Sequence, residues 1–245
     1  MSPPVGKTVG VIGTGVIGAS WIALFLAKGL KVIVTDPDPD APAKVSTFLH
    51  DAWPGLVIAG LAPGASLSNY EFVEEIDEFL TEIDFIQENS LGGFKFRRKL
   101  LARLDQKTPP GTVICSSQLG IPSELVCECN HRPGRILIGH PTSLPHLLPV
   151  VEVTAHRETQ INHVVAAIGF YRSLGGMPLL VREGSTDLDG NRLRAALLAE
   201  TYGLVHRGLV SVDDIGVVMT GLQWAFAGPF RTNGFSTMGT FPNIW

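Results

Sequence analysis

The chain has 245 residues, a length that suits one large domain or one domain plus a smaller one. Hydrophobic residues make up 45% and charged residues 17%, which excludes a disordered profile and supports a sizeable core. The formal net charge of −4 excludes a basic footprint for nucleic acid, and three cysteines (Cys115, Cys127, Cys129) exclude a disulfide framework and fit a reducing compartment.

In chain order, "KTVGVIG" (7–13) is a β-branched run bounded by glycine and predicts a buried strand. "ASWIALFLAKG" (19–29) is helical in composition, with Gly29 at a C-cap position. "KVIVTD" (31–36) predicts a second strand, which completes a βαβ unit. Residues 10–27 carry no charge and reach the minimum length of a membrane span. Glycines stud the first half, and Lys28 and Lys31 interrupt the apolar pattern beyond residue 27, so the stretch is read as strand, turn and helix. No targeting signal is evident, and a cytoplasmic location is expected.

"PDPDAP" (37–42) predicts a turn, 43–60 and 74–82 predict helices, and 62–69 a loop between them. "FIQEN" (85–89) predicts a strand with a polar end, and "FKFRRKLLARLDQ" (94–106) an amphipathic helix with a solvated basic side. Strands are expected within 109–117, 134–140, 148–153 and 177–183, and a helix over 161–175. Strands alternating with helices predict an α/β fold with a parallel, doubly wound sheet over residues 1–184. The pattern then changes. Residues 190–208 and 211–220 predict helices, the second with Ser211 as N-cap, in a helical C-terminal region over 185–245. Cys127-Glu128-Cys129 has no further cysteine to complete a zinc set, so no metal site is expected, and buried or idle thiols are the simpler reading.

Gly13-Thr14-Gly15-Val16-Ile17-Gly18 is a G-x-G-x-x-G run placed between a strand and a helix. Gly13 permits the tight turn, Gly15 lets backbone approach a pyrophosphate, and Gly18 lets helix and strand pack closely. The helix start offers free N–H groups to phosphate. Asp36 ends the second strand, 23 residues after Gly13, where a carboxylate can accept from ribose hydroxyls and repel a 2′-phosphate. The expected cofactor is NAD; FAD uses the same glycine pattern.

A second constellation is "LIGHPTSLPHLLPVVEV" (137–153). Oxidising a hydroxyl to a ketone needs a base for the O–H proton while hydride leaves. Histidine as a residue type suits this role, and Glu152, twelve positions after His140, could fix its tautomer and stabilise the imidazolium. Chemistry alone leaves this pair balanced against a structural histidine with an exposed glutamate. His146 and His156 have no acid at matched spacing and are read as surface residues.

"GVIGTGVIGASWIALFLAKGLKVIVTDPDP", "DFIQEN", "SSQLGIPSEL", "IGHPTSLPHLLPVVEV" and "GNRLRAALLAE" together resemble the 3-hydroxyacyl-CoA dehydrogenase family. The His-Pro form and "WAFAGPF" (224–230) are most similar to its lambda-crystallin / L-gulonate 3-dehydrogenase branch. The resemblance implies a Rossmann domain followed by a helical domain, a homodimer, and NAD-dependent oxidation of an L-3-hydroxy acid or 3-hydroxyacyl-CoA. It implies His140 as base, Glu152 as its orienting acid and Asn191 as a group that places substrate. Glu88 matches an acidic position lining the cofactor cleft.

Two positions depart from the family pattern. Ser143 stands where the family has asparagine, and its substrate-binding serine falls on Gln118 or Leu119, beside Ser117. Ser117, Gln118 and Ser143 are therefore the expected substrate contacts. The chain also stops soon after "GPF", so a shortened helical domain is expected. The same residues also fit an NAD-binding protein without turnover, or a Rossmann oxidoreductase for another hydroxy substrate.

Overall fold

In a computed structural model, residues 7–118, 131–181 and 189–221 are described. The chain divides into two compact units, residues 1–188 and 189–245. The first holds eight strands: β1 (Thr8–Ile12), β2 (Lys31–Thr35), β3 (Tyr70–Phe72), β4 (Phe85–Glu88), β5 (Val113–Ser116), β6 (Ile136–Pro141), β7 (Val150–Thr154) and β8 (Met177–Val181). Helices α1 (Val16–Ala27), α2 (Ala41–Ala59), α3 (Phe94–Lys107) and α4 (Ile161–Ser173) belong to it as well. Helices α5 (Asp189–His206) and α6 (Val212–Gly221) belong to the second.

All eight strands form one sheet in the order β3-β2-β1-β4-β5-β6-β7-β8. Successive side chains of a strand face opposite sides of a sheet, and the two cores follow that alternation. Val9, Val11, Val32, Val34, Phe85, Val113 and Cys115 join Trp21, Phe25, Phe170 and Tyr171 on one face. Ile33, Ile86 and Ile114 join Ile76, Leu80, Leu100 and Leu104 on the other. Apolar burial on both faces is what a parallel sheet needs. The order reverses between β1 and β4, and the crevice at their carboxyl ends is where such folds bind ligands.

The α/β doubly wound fold agrees with the sequence, with one correction. β7 runs antiparallel to β6, while the remaining pairs are parallel. Only 142–149 separate the two strands, too few residues for the crossover that a parallel pair requires. Antiparallel pairing sets His140 opposite Glu152 in register.

Smaller differences have local causes. β3 lies just past the expected loop of 62–69, where the sequence predicts no strand; three residues are too short to show a period. The helix expected over 74–82 is a 3-10 turn at Ile76–Phe79. Its Ile76 and the following Leu80 are both buried, so the apolar spacing is served by one short turn. Helix α1 begins at Val16, three residues before the expected start, because the glycine run feeds straight into it. Ser211 does cap α6: its Oγ accepts from the Asp214 amide at 3.1 Å. No helix among the described residues is long and apolar enough to cross a membrane. Cys115 is fully buried and burial pushes its thiol pKa up to about 12. Cys127, Cys129, Leu119 to Pro122 and "WAFAGPF" lie outside the described residues.

Candidate active site

The turn after β1 is built as the glycine spacing demands. Gly13 has φ 84°, and a Cβ there would lie 2.7 Å from the Ser90 nitrogen. A Cβ on Gly18 would lie 2.0 Å from the Gly13 oxygen. Both positions therefore exclude a side chain, whereas Gly15 has nothing within 4 Å and faces open space. Helix α1 follows with no side-chain cap and no acid in its first turn. Its free N–H groups and positive dipole end face that space, a setting that suits a pyrophosphate.

Asp36, just past β2, accepts from the Thr14 amide at 2.6 Å and the Thr14 hydroxyl at 2.9 Å. Its other oxygen accepts from the Asp38 amide at 2.9 Å. The carboxylate thus ties the glycine turn to the end of β2. These residues fit a dinucleotide: a bare turn, an uncapped helix start and a carboxylate one strand away.

A cleft of about 350 Å³ opens beside this turn, lined by Gly15, Ile17, Gly18, Asn89, Leu91, Ser117, Gln118, His140 and Pro141. Five of the expected site residues (Gly15, Ile17, Gly18, Ser117, Gln118) therefore share one cavity with His140. Sequence reasoning does not single out Asn89, Leu91 or Pro141. The polar end of "FIQEN" is the available signal for Asn89.

His140, half-buried on β6, donates from Nδ1 to the Ser117 carbonyl at 2.5 Å. A carbonyl can only accept, so the proton sits on Nδ1 and Nε2 carries the lone pair. Nδ1 thus has a backbone oxygen as a partner, a contact that sequence alone does not suggest. Glu152 lies opposite His140 on β7 and is 2% exposed.

Other expected site residues are placed differently. Glu88 is fully buried; it accepts from the Ser90 amide at 2.7 Å, from the Ser90 hydroxyl, and from Ser116 Oγ at 2.5 Å. It fastens the loop after β4 to β5 and is not among the residues that line the cleft. The Ser117 hydroxyl turns inward: it accepts from Gln87 Nε2 at 2.9 Å and Trp21 Nε1 at 3.3 Å, and donates to Asn89 Oδ1 at 2.6 Å. Gln118 Nε2 donates to the Ser90 carbonyl at 3.2 Å. Ser143 is exposed and outside the cleft lining. Val16 is exposed at the start of α1. Asn191 lies in α5, and its side chain is outside the described residues.

His146 and His156, expected at the surface, are both half-buried. His146 Nδ1 bonds Ser20 Oγ of α1 at 2.7 Å, and its ring meets Phe48 edge-on. Burial lowers its pKa from the usual 6.5. His156 is half-buried and accepts at Nδ1 from the Glu158 amide at 3.2 Å. Among the described residues no group of three or more His, Cys, Asp or Glu could hold a metal ion.

This arrangement matches known proteins along nearly its whole length. The profile of the 3-hydroxyacyl-CoA dehydrogenase NAD-binding domain matches residues 8–184. A 3-hydroxyacyl-CoA dehydrogenase of Gibberella moniliformis is 42% identical over 238 residues, 95% of this chain and 73% of the relative. An L-carnitine dehydrogenase of Pseudomonas aeruginosa is 40% identical over 230 residues, 92% of this chain and 71% of the relative. Among solved structures, an NAD+-dependent dismutase, 5-formyl-3-hydroxy-2-methylpyridine 4-carboxylic acid 5-dehydrogenase, superposes with a TM-score of 0.82 at 26% identity, covering 94% of this chain and 75% of its own. The cofactor is NAD. With its turn, its cleft and its relatives in agreement, the chain belongs to the 3-hydroxyacyl-CoA dehydrogenase family.

Proposed function

We propose that this chain oxidises an L-3-hydroxy acid or 3-hydroxyacyl-CoA to its 3-oxo product, with His140 as general base. The observation that carries this is the His140 tautomer. The Ser117 carbonyl holds the proton on Nδ1, so Nε2 is the basic nitrogen, on a residue that lines the same cleft as Gly15. NAD, when bound, supplies the hydride acceptor. His140 takes the hydroxyl proton at Nε2, and the Ser117 carbonyl stabilises the resulting imidazolium through Nδ1–H. Glu152, buried opposite His140 on β7, is the proposed orienting acid. Gln118, an expected substrate contact, lines the cleft, and its amide would bond a carboxylate or thioester oxygen of the substrate.

The substrate class follows the relatives: L-carnitine is itself a 3-hydroxy acid, and acyl-CoA esters share the 3-hydroxy group. The protein works as a homodimer, a proposal supported by apolar side chains exposed on α5 and α6.

NADH formation should be followed with L-carnitine, L-gulonate, L-3-hydroxybutyrate and 3-hydroxybutyryl-CoA. At least one should turn over, and His140→Ala should cost about a hundredfold or more in kcat. Tight NAD binding without turnover on the whole panel would replace this function with that of a binding protein.

A further inference from the structure

Gln87 sits fully buried in β4, between Ile86 and Glu88. A primary amide in an apolar sheet is costly unless both ends are bonded. Its Nε2 donates to Ser117 Oγ at 2.9 Å and to the Gly139 carbonyl at 3.2 Å. Its Oε1 accepts from the Tyr171 hydroxyl at 2.7 Å. Both acceptors of Nε2 lead to His140. Gly139 precedes it on β6, and Ser117 carries the carbonyl that bonds its Nδ1.

The Gly139 carbonyl decides which way the amide points. It can only accept, so Nε2 must face it, and Oε1 is left to accept from the Tyr171 hydroxyl. The flipped amide would set an oxygen against the Gly139 carbonyl. The backbone makes room for this contact: a Cβ on Gly139 would lie 2.1 Å from the Tyr171 oxygen. The ring itself is wedged against Trp21 and Phe85, with centroids 5.5 and 5.6 Å away. Asn89 closes the arrangement, donating to the Gln87 carbonyl at 3.1 Å and accepting from Ser117 Oγ at 2.6 Å. Two donors in and one proton out saturate the Ser117 hydroxyl, which leaves it no bond for substrate.

We propose that Gln87, anchored by Tyr171, is a positioning residue that fixes the Ser117 carbonyl and Gly139 and so holds His140 in its Nδ1–H form. The inference rests on His140 as the base, and it assigns Ser117 a supporting role in place of the expected substrate contact. Without the amide, Ser117 and β6 lose their common anchor, and the imidazole can populate the other tautomer.

Two variants test this. Tyr171→Phe removes one oxygen and keeps the ring; Gln87→Met keeps the length and removes the amide. Each should lower kcat about tenfold while KM for NAD stays within about twofold, because the glycine turn is untouched. Nitrogen-15 spectra of labelled histidine should show His140 protonated at Nδ1 in the parent protein and a tautomer mixture in the variants. Wild-type kcat and tautomer in Tyr171→Phe would overturn the proposal, even where Gln87→Met fails to fold. His140→Ala run in parallel separates the two levels. If it keeps turnover, the base assignment falls, and the nitrogen-15 spectra alone still decide the role of Gln87.

Discussion

Three protein donors reach the Asp36 carboxylate, from the Thr14 amide, the Thr14 hydroxyl and the Asp38 amide. A carboxylate offers roughly four lone-pair sites, so about one remains for a ribose hydroxyl. Asp36 therefore shapes the glycine turn, and with its proposed contact to the ribose its loss should act on both. Each charge-assisted bond is worth about 1.5–3 kcal/mol. Asp36→Ala should then raise KM for NAD about tenfold or more. The NAD over NADP preference should relax mainly because NAD binding weakens, not because NADP binding improves. Steady-state kinetics with both cofactors checks this, and an unchanged KM for NAD would remove Asp36 from either role. The same inward use of polar atoms recurs at Glu88 and Ser117. Sequence position marks such residues as close to a site, while their partners decide whether they touch ligand.

Among the elements, the end of α3 shows how a buried charge is kept. Asp105 and Arg135 are 0% and 1% exposed, with Arg135 Nε donating to Asp105 Oδ1 at 2.9 Å. Arg135 also donates to the carbonyls of Asp105, Thr108, Pro109 and Thr112. Carbonyls at the end of a helix lack intrahelical partners, and the guanidinium satisfies them. Its pKa is lowered by burial first, against the opposing effect of Asp105. Asp105→Asn leaves that cation uncompensated and should cost about 3–5 kcal/mol of stability, read as a lower urea midpoint with an unchanged slope. Removal of the Lys44–Asp38 pair, both exposed, should by contrast be nearly silent. Elements were legible in the sequence where period and punctuation agreed: the glycine turn, "KVIVTD" and the amphipathic α3. The direction of β7 was not, because strand polarity depends on the length of a connection and not on the strand's own residues. Nor was the chain from Tyr171 through Gln87 to Ser117, since it joins residues 84 and 30 positions apart.

At the scale of the whole molecule, every residue lining the cleft lies between Gly15 and Pro141, inside the first compact unit. Cofactor binding should therefore be separable from whatever the second unit does. On α5, Leu193 and Leu197, and Leu198 and Tyr202, are two pairs at four-residue spacing and all are exposed, and Val217 and Val218 are exposed on α6. Such spacing sets the two members of each pair beside each other on the helix. Single exposed leucines are ordinary, whereas a contiguous set marks an interaction surface. A second copy of the chain is the proposed partner. Sedimentation velocity should then give a mass about twice the 26.3 kDa of the chain. Leu193→Lys combined with Leu197→Lys should shift that equilibrium towards monomer while NAD affinity stays within about twofold, because charge at an interface core is strongly disfavoured. A parent protein that sediments as a monomer at all concentrations would remove the homodimer. A double variant that stays dimeric would move the interface off this face of α5.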